Sequence, residues 1–244
     1  MSATAAVEGG AQRIELCSAL SLDGLTPSIG LIAELRRLYP NLRIHVLIRP
    51  REGNFVYTEA EVRVMERDIH AAINAGATAI VSGALTPDGE VDVATTQRLV
   101  RAAGALPFTF HRAFDLVPDR ELALRQLAGL DVRRILTSGG APTAEAGIPE
   151  LRRLVQLSSS LSSSLSSSLS SQPTLLSDES SLEEGPSGAG LLILPGGGVN
   201  SHNARRILNE TGATEIHGSC SIDLSDGLRQ TSADEVQAVL AAIG

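Results

Sequence analysis

Short aliphatic blocks punctuate the chain at fairly even intervals, most of them bounded by Gly, Pro or polar turns. They fall at 13–17, 43–49, 79–83, 107–111, 133–139, 191–195 and 215–219. Segments with helical spacing lie between them. The stretch 58–75 opens on Thr58, Glu59, Ala60 and Glu61, a capping box, and stops before Gly76. Stretches 93–103 and 119–129 follow the same plan. Asn200, Ser201, His202 and Asn203 can cap a helix running to Glu210 and closed by Gly212, and Ser232 can cap a last helix ending at Ile243. Strand-sized blocks alternating with helices predict repeated βα units around a parallel sheet. At 244 residues the chain suits one (β/α)8 TIM-type barrel, a fold of about 250 residues.

Seven blocks are visible where a closed barrel needs eight strands. Residues 5–11 read as the end of a helix and a turn, so the chain is expected to begin inside its first βα unit without the first strand. A seam would then expose backbone donors and acceptors. The stretch 158–190 differs in kind. A Ser-Ser-Ser-Leu pattern repeats three times up to Leu169, followed by acidic, Pro- and Gly-containing sequence without a basic residue. Such composition predicts a disordered low-complexity insertion within the single domain 1–244, although leucine at every fourth position also suggests a weak amphipathic helix against serine's mediocre propensity. It follows a helix and precedes a strand, which places it on the face of the barrel opposite the usual site of chemistry.

Composition narrows the function classes. Apolar residues make up 43% and charged residues 20%, and with only four Phe, two Tyr and no Trp the core must rest on Leu, Ile, Val and Ala. A net charge of −8 argues against a nucleic-acid grip. No apolar run approaches the roughly 18 residues needed to span a bilayer, and the first residues lack the pattern of a signal peptide. Two cysteines, Cys17 and Cys220, do not make a disulfide framework, which points to a reducing, cytosolic setting. All 20 basic residues are arginine, so no lysine Schiff base can form.

Strand alternation places the candidate chemistry. With Ile14 and Leu16 turned toward the helices, Glu15 and Cys17 enter the barrel. The same parity sends Ile44, Val46 and Ile48 outward and Arg49 inward. Thr109 and His111 share a side, Asp115 follows in the next loop, and Glu215 pairs in the same way with His217. Glu15, Arg49, His111, Asp115 and His217 therefore form a catalytic candidate set for acid/base work, although Glu15 with Arg49 is also an obvious structural ion pair. Gly196, Gly197 and Gly198 leave a strand end and enter a helix start, a geometry that suits an anion. Arg49, Ser138, Gly139, Gly197, Gly198 and Ser219 are the anion-binding candidates, with a tight turn as the structural alternative for the glycines. A soft metal such as Cu(I) would look to Cys17, His217 and Cys220, with His111 and Glu15 as further candidates. No CxxC, HxxxH or Met-rich cluster is present.

Several of these blocks resemble motifs of the copper homeostasis protein CutC family. Residues 9–20 read GGAQRIELCSAL, 48–55 read IRPREGNF, 110–115 read FHRAFD, 136–139 read LTSG and 195–199 read PGGGV. The resemblance covers nearly everything from Gly9 to Ser219 outside the Ser-rich insertion. It implies a TIM-like barrel, a cytoplasmic location and a link to copper tolerance or copper binding. It supplies no agreed reaction. The family's first strand, an E-x-C-V-D segment with a further cysteine, has no counterpart here, so a copper site built from that cysteine and Cys17 would lack one ligand. Cys220 stands where the family usually has alanine, and the tail beyond it is short. The expectations are thus a cytosolic protein binding copper ion, or an enzyme acting on a small phosphorylated or carboxylated metabolite, or a truncated inactive copy. Neither nucleic acid nor membrane is expected as partner, and a homo-oligomer is left open.

Overall fold

The computed structural model describes residues 2–169, 190–223 and 229–244. Six strands, β1 (Arg13–Leu16), β2 (Arg43–Leu47), β3 (Ala79–Ser82), β4 (Phe108–Phe110), β5 (Val132–Thr137) and β6 (Leu192–Pro195), lie side by side in sequence order. Every pairing among them is parallel. Helix α1 (Ser2–Glu8) leads directly into β1. Helices α2 (Ile29–Leu38), α3 (Glu59–Asn74), α4 (Val93–Ala103), α5 (Arg120–Ala128) and α6 (Ile148–Leu169) connect successive strands, and α7 (Ala204–Thr211) and α8 (Ala233–Ile243) follow β6. This succession defines a (β/α)8-type fold.

Short polar residues fix the helix starts. Ser28, Asp92 and Asp119 each accept a backbone N–H from the first turn of α2, α4 and α5. The expected capping box of α3 is complete: Thr58 Oγ1 accepts the Glu61 N–H at 3.3 Å, and Glu61 Oε2 accepts the Thr58 N–H at 2.7 Å. Each such cap stabilises its helix by about 1 kcal/mol.

The strand parity stands. Ile14, Leu16, Ile44, Val46 and Ile48 pack with Ile32 and Leu35 of α2 and Met65 and Ile69 of α3 in the main core. Each such side chain, fully buried, contributes about 1.5–3 kcal/mol. Leu47, Val81, Leu136 and Leu194 are buried apart from that cluster, on the inward parity.

Two expectations need correction, and one element was not expected. Block 215–219 is not a strand; it joins β6 through one parallel bridge, Gly196 with His217, where the His217 N–H donates to Pro195 O at 2.9 Å. An antiparallel hairpin, β7 (Ser221–Asp223) with β8 (Arg229–Thr231), follows, and no alternating pattern had announced it. The disorder expected from Ser158 does not begin there, because α6 continues to Leu169. Leu157 and Leu161 pack against the core, Ser158 is buried with its hydroxyl on Leu191 O, and Ser159 and Ser160 bond back to the carbonyls of Val155 and Gln156. Leucine at every fourth position and these local bonds outweigh serine's modest helix propensity. The rest of the insertion, 170–189, lies outside the described residues.

Candidate functional site

The inward face carries a polar ladder that begins below the mouth. Arg134 on β5, 2% exposed, donates to both carboxylate oxygens of Glu215 at 2.7 and 3.0 Å, and Arg13 on β1 reaches the same carboxylate at 2.9 Å. Burial alone would raise the pKa of Glu215, but the two guanidinium groups overcome it and hold the carboxyl down at about 2. Arg134 had not been singled out from sequence; its inward parity in 133–139 was the available signal. One turn of the ladder higher, His217 Nδ1 stands 3.8 Å from Glu15 Oε2.

Arg49 has other work than pairing with Glu15. Its guanidinium donates to the carbonyls of Leu22 at 2.8 Å, Gly24 at 3.1 Å and Gly53 at 3.0 Å, and it lies over the Phe55 ring at 5.0 Å. It clasps the loops after β1 and β2 together, which corrects both the Glu15 ion pair and the idea of a free anion-binding arginine. Phe55 in turn packs on His111, ring centroids 4.7 Å apart. His111 caps the short 3-10 turn Arg112–Leu116, its Nδ1 accepting the Ala113 N–H at 3.2 Å. That bond places the proton on Nε2, which is buried without an acceptor among the described residues. Burial first, and then the charge of Arg49, push the imidazole down to about 3. His111 is thus a neutral hydrogen-bond donor at working pH rather than a general base.

Asp115 is the hub of the loop after β5. Its Oδ1 accepts the Thr137 hydroxyl at 2.5 Å, the Ser138 N–H at 2.9 Å and the Gly140 N–H at 3.0 Å; its Oδ2 accepts the Ser138 hydroxyl at 3.1 Å and Arg112 Nε at 2.8 Å. The Gly139 N–H goes to Thr137 Oγ1 at 2.9 Å, and the one Ser138 O–H proton is shared between Asp115 Oδ2 and Ala141 O, the latter at 2.6 Å. The anion cradle expected at Ser138 and Gly139 is therefore filled by the chain's own acceptors, the Asp115 carboxylate and Thr137 Oγ1, and Asp115 is a positioning residue with its acceptor sites spent. Ser219 faces the hairpin, its hydroxyl 3.0 Å from that of Ser221.

Gly197 and Gly198 differ. Both adopt positive φ, 103° and 70°, and their N–H groups have no acceptor among the described residues. A Cβ on Gly197 would lie 3.4 Å from the Arg112 guanidinium, so the absent side chain lets that group approach the turn. Arg112 is fixed by Asp115 through Nε and by Ser138 Oγ through Nη2 at 3.0 Å, while Nη1 has no acceptor among the described residues. An aimed, half-exposed guanidinium beside a glycine turn suits an anionic oxygen. Sequence reasoning passed over Arg112, although it stands within the FHRAFD motif beside His111.

The metal candidates do not assemble. Among the described residues no three His, Cys, Asp or Glu side chains form a group that could hold a metal ion, so Cys17, His217 and Cys220 are not a ready ligand set. Burial and then the Glu15 charge push the Cys17 thiol up to about 11, and burial and then Glu235 raise that of Cys220. A thiolate ligand must lose its proton, so both environments work against a resident copper ion. The donor set does not fit one.

A (β/α)8-type barrel with a polar mouth built from the ends of β4, β5 and β6 is the class that fold and site define. The CutC family model matches residues 1–165. A CutC family protein of Bacteroides thetaiotaomicron is 40% identical over 228 residues, covering 93% of this chain and 80% of that protein. The human copper homeostasis protein cutC homolog is 37% identical, covering 93% of this chain and 72% of that one. A crystal structure titled as the copper homeostasis protein CutC of Streptococcus agalactiae superposes with a TM-score of 0.70 at 32% identity, covering 85% of this chain and 88% of that one. The chain belongs to the CutC family.

Proposed function

We propose that this CutC-family barrel serves copper homeostasis in the cytosol by binding a small phosphorylated or carboxylated metabolite at its mouth, without a resident copper ion. The observation that carries this reading is Arg112, locked by Asp115 and Ser138 with Nη1 left over against the Gly197 turn. Arg112 and the amides of Gly197 and Gly198 would hold the anion, and His111 would offer its Nε2–H to a ligand oxygen once Phe55 moves aside. The acid/base pair would be Glu15 with His217, an ionisable pair at the rim without an arginine partner among the described residues. The test is a thermal-shift screen against phosphorylated and carboxylated metabolites. Ligands that stabilise wild type and lose their effect in Arg112→Ala and Gly197→Asp support it; a panel without a single stabilising anion refutes it.

A second reading takes Cu(I) as a passing cargo at Cys17. It is favoured by Cys17 and His217 both lying against Glu15. A thiol at about 11 instead of 9.0 weakens binding at neutral pH by about a hundredfold relative to an ordinary cysteine. Competition against a strong Cu(I) chelator decides it: an affinity unchanged in Cys17→Ser removes this role.

A further inference from the structure

Two sets of backbone donors at the mouth already hold carboxylates of the chain itself. Asp115 fills the turn at 138–140, and five separate donor groups fix it there. The second set lies just beyond the glycine triplet. Ser201 donates its N–H to Glu235 Oε1 at 2.8 Å and its hydroxyl to Oε2 at 3.2 Å. Glu235 belongs to the first turn of α8, where Ser232 caps its N–H at 3.3 Å.

The two carboxylates are held differently. Asp115 has a guanidinium on it and lies in a loop tied down on both sides. Glu235 has no cationic partner among the described residues and reaches Ser201 from the last helix of the chain. The turn that it holds is continuous with Gly198. Asn203 Oδ1 accepts the Asn200 N–H at 2.9 Å and Asn203 Nδ2 donates to Gly198 O at 3.0 Å, so the amides from Gly198 to Ser201 move as one unit. An anion drawn to Arg112 and Gly198 therefore meets a second negative charge on the same short turn, and like charges sharing a site repel. Glu235 therefore opposes a second anion on that turn, and it has fewer anchors than Asp115.

We propose that Glu235 is an internal latch: its carboxylate competes with the anionic ligand for the Gly197–Ser201 turn, and ligand binding releases the start of α8. The proposal rests on the anion-binding reading above and adds its regulation. A free metabolite then reports its presence through the helix that packs against α1 and α7.

Calorimetric titration with inorganic phosphate compares wild type with Glu235→Gln, which keeps the shape and removes the charge. The variant should bind roughly tenfold more tightly, the scale of one charge-assisted hydrogen bond. In wild type, phosphate saturation should speed amide hydrogen exchange in α8, a readout that needs no variant to fold. Equal or weaker phosphate affinity in Glu235→Gln overturns the latch and leaves the anion site standing, as does unchanged exchange in α8 at saturation. No binding by either chain overturns both.

Discussion

Replacing Arg134 by methionine tests whether the interior ion cluster holds the barrel together. The substitution keeps an unbranched, mostly apolar side chain and removes the cation that bonds both oxygens of Glu215. Glu215 is held at about 2 against an ordinary 4.5, the balance left after burial opposes Arg134 and Arg13, and that difference corresponds to about 3 kcal/mol. One-sided removal of a buried partner costs about 3–5 kcal/mol. Arg13 remains 2.9 Å from the carboxylate, so the lower end, about 3 kcal/mol, applies. For a chain of this size that is a fall in Tm of about 6–12 °C, read by circular dichroism at pH 7. The pH dependence supplies a second check. A carboxyl with a depressed folded value stabilises above its unfolded value and loses that contribution as pH falls through the folded one. The difference between wild type and variant should therefore shrink from about pH 4.5 toward 2. A loss under about 2 °C at pH 7, or a difference that persists undiminished at low pH, refutes the reasoning.

Three further outcomes follow from the same contacts. His111 stays neutral in the fold to about pH 3, while an unfolded imidazole takes its proton near 6.5. Wild type should therefore lose stability progressively as pH falls below 6.5, and His111→Gln should flatten that part of a denaturant-derived stability profile; an unaltered slope excludes His111 as its source. A Cβ on Gly147 would lie 1.8 Å from Ser138 O, so Gly147→Ala must displace the loop that Asp115 organises, costing about 1–3 kcal/mol in urea unfolding; a variant as stable as wild type would mean that the loop is slack. The Cys17 thiol, pushed up to about 11, should react with iodoacetamide slowly at pH 7 and still be accelerating at pH 10; a rate that levels off near pH 9 would show an unperturbed thiol.

The periodic signals of the chain were legible because burial on one side of a strand or helix writes itself into residue order. The inward turn of Arg49 and His111 and the cap at Thr58 all follow from alternation and local hydrogen bonding. What each polar side chain does once inside was not legible, because its partner comes from far away in sequence. Arg49 meets carbonyls 25 and 27 residues earlier, and Arg134 meets a carboxylate 81 residues later. A charge and a nearby opposite charge suggested Glu15 with Arg49, yet loop carbonyls satisfied the arginine first. The α6 extension was underweighted for the opposite reason: composition argued for disorder over the amphipathic helix that a leucine at every fourth position also suggests, while Leu157 and Leu161 pack against the core.

The mouth distinguishes architecture from recognition by which acceptors and donors are already spent. Asp115, Ser138 and Gly139 close their hydrogen bonds within the chain, and Arg49 spends both terminal nitrogens on loop carbonyls, so a ligand bonding there must break what holds the loops in place. Arg112 is different because its anchoring bonds leave one nitrogen over, so the same contacts that cost conformational freedom also aim it. His111 shows the same logic with a single proton: the Ala113 N–H fixes the tautomer and thereby leaves the Nε2–H without a partner. Buried donors left without partners cost stability unless something outside the fold supplies the acceptor. Under the anion-binding function proposed above, such donors at strand ends, beside a glycine turn whose amides have no acceptor among the described residues, would be completed by the oxygens of the ligand.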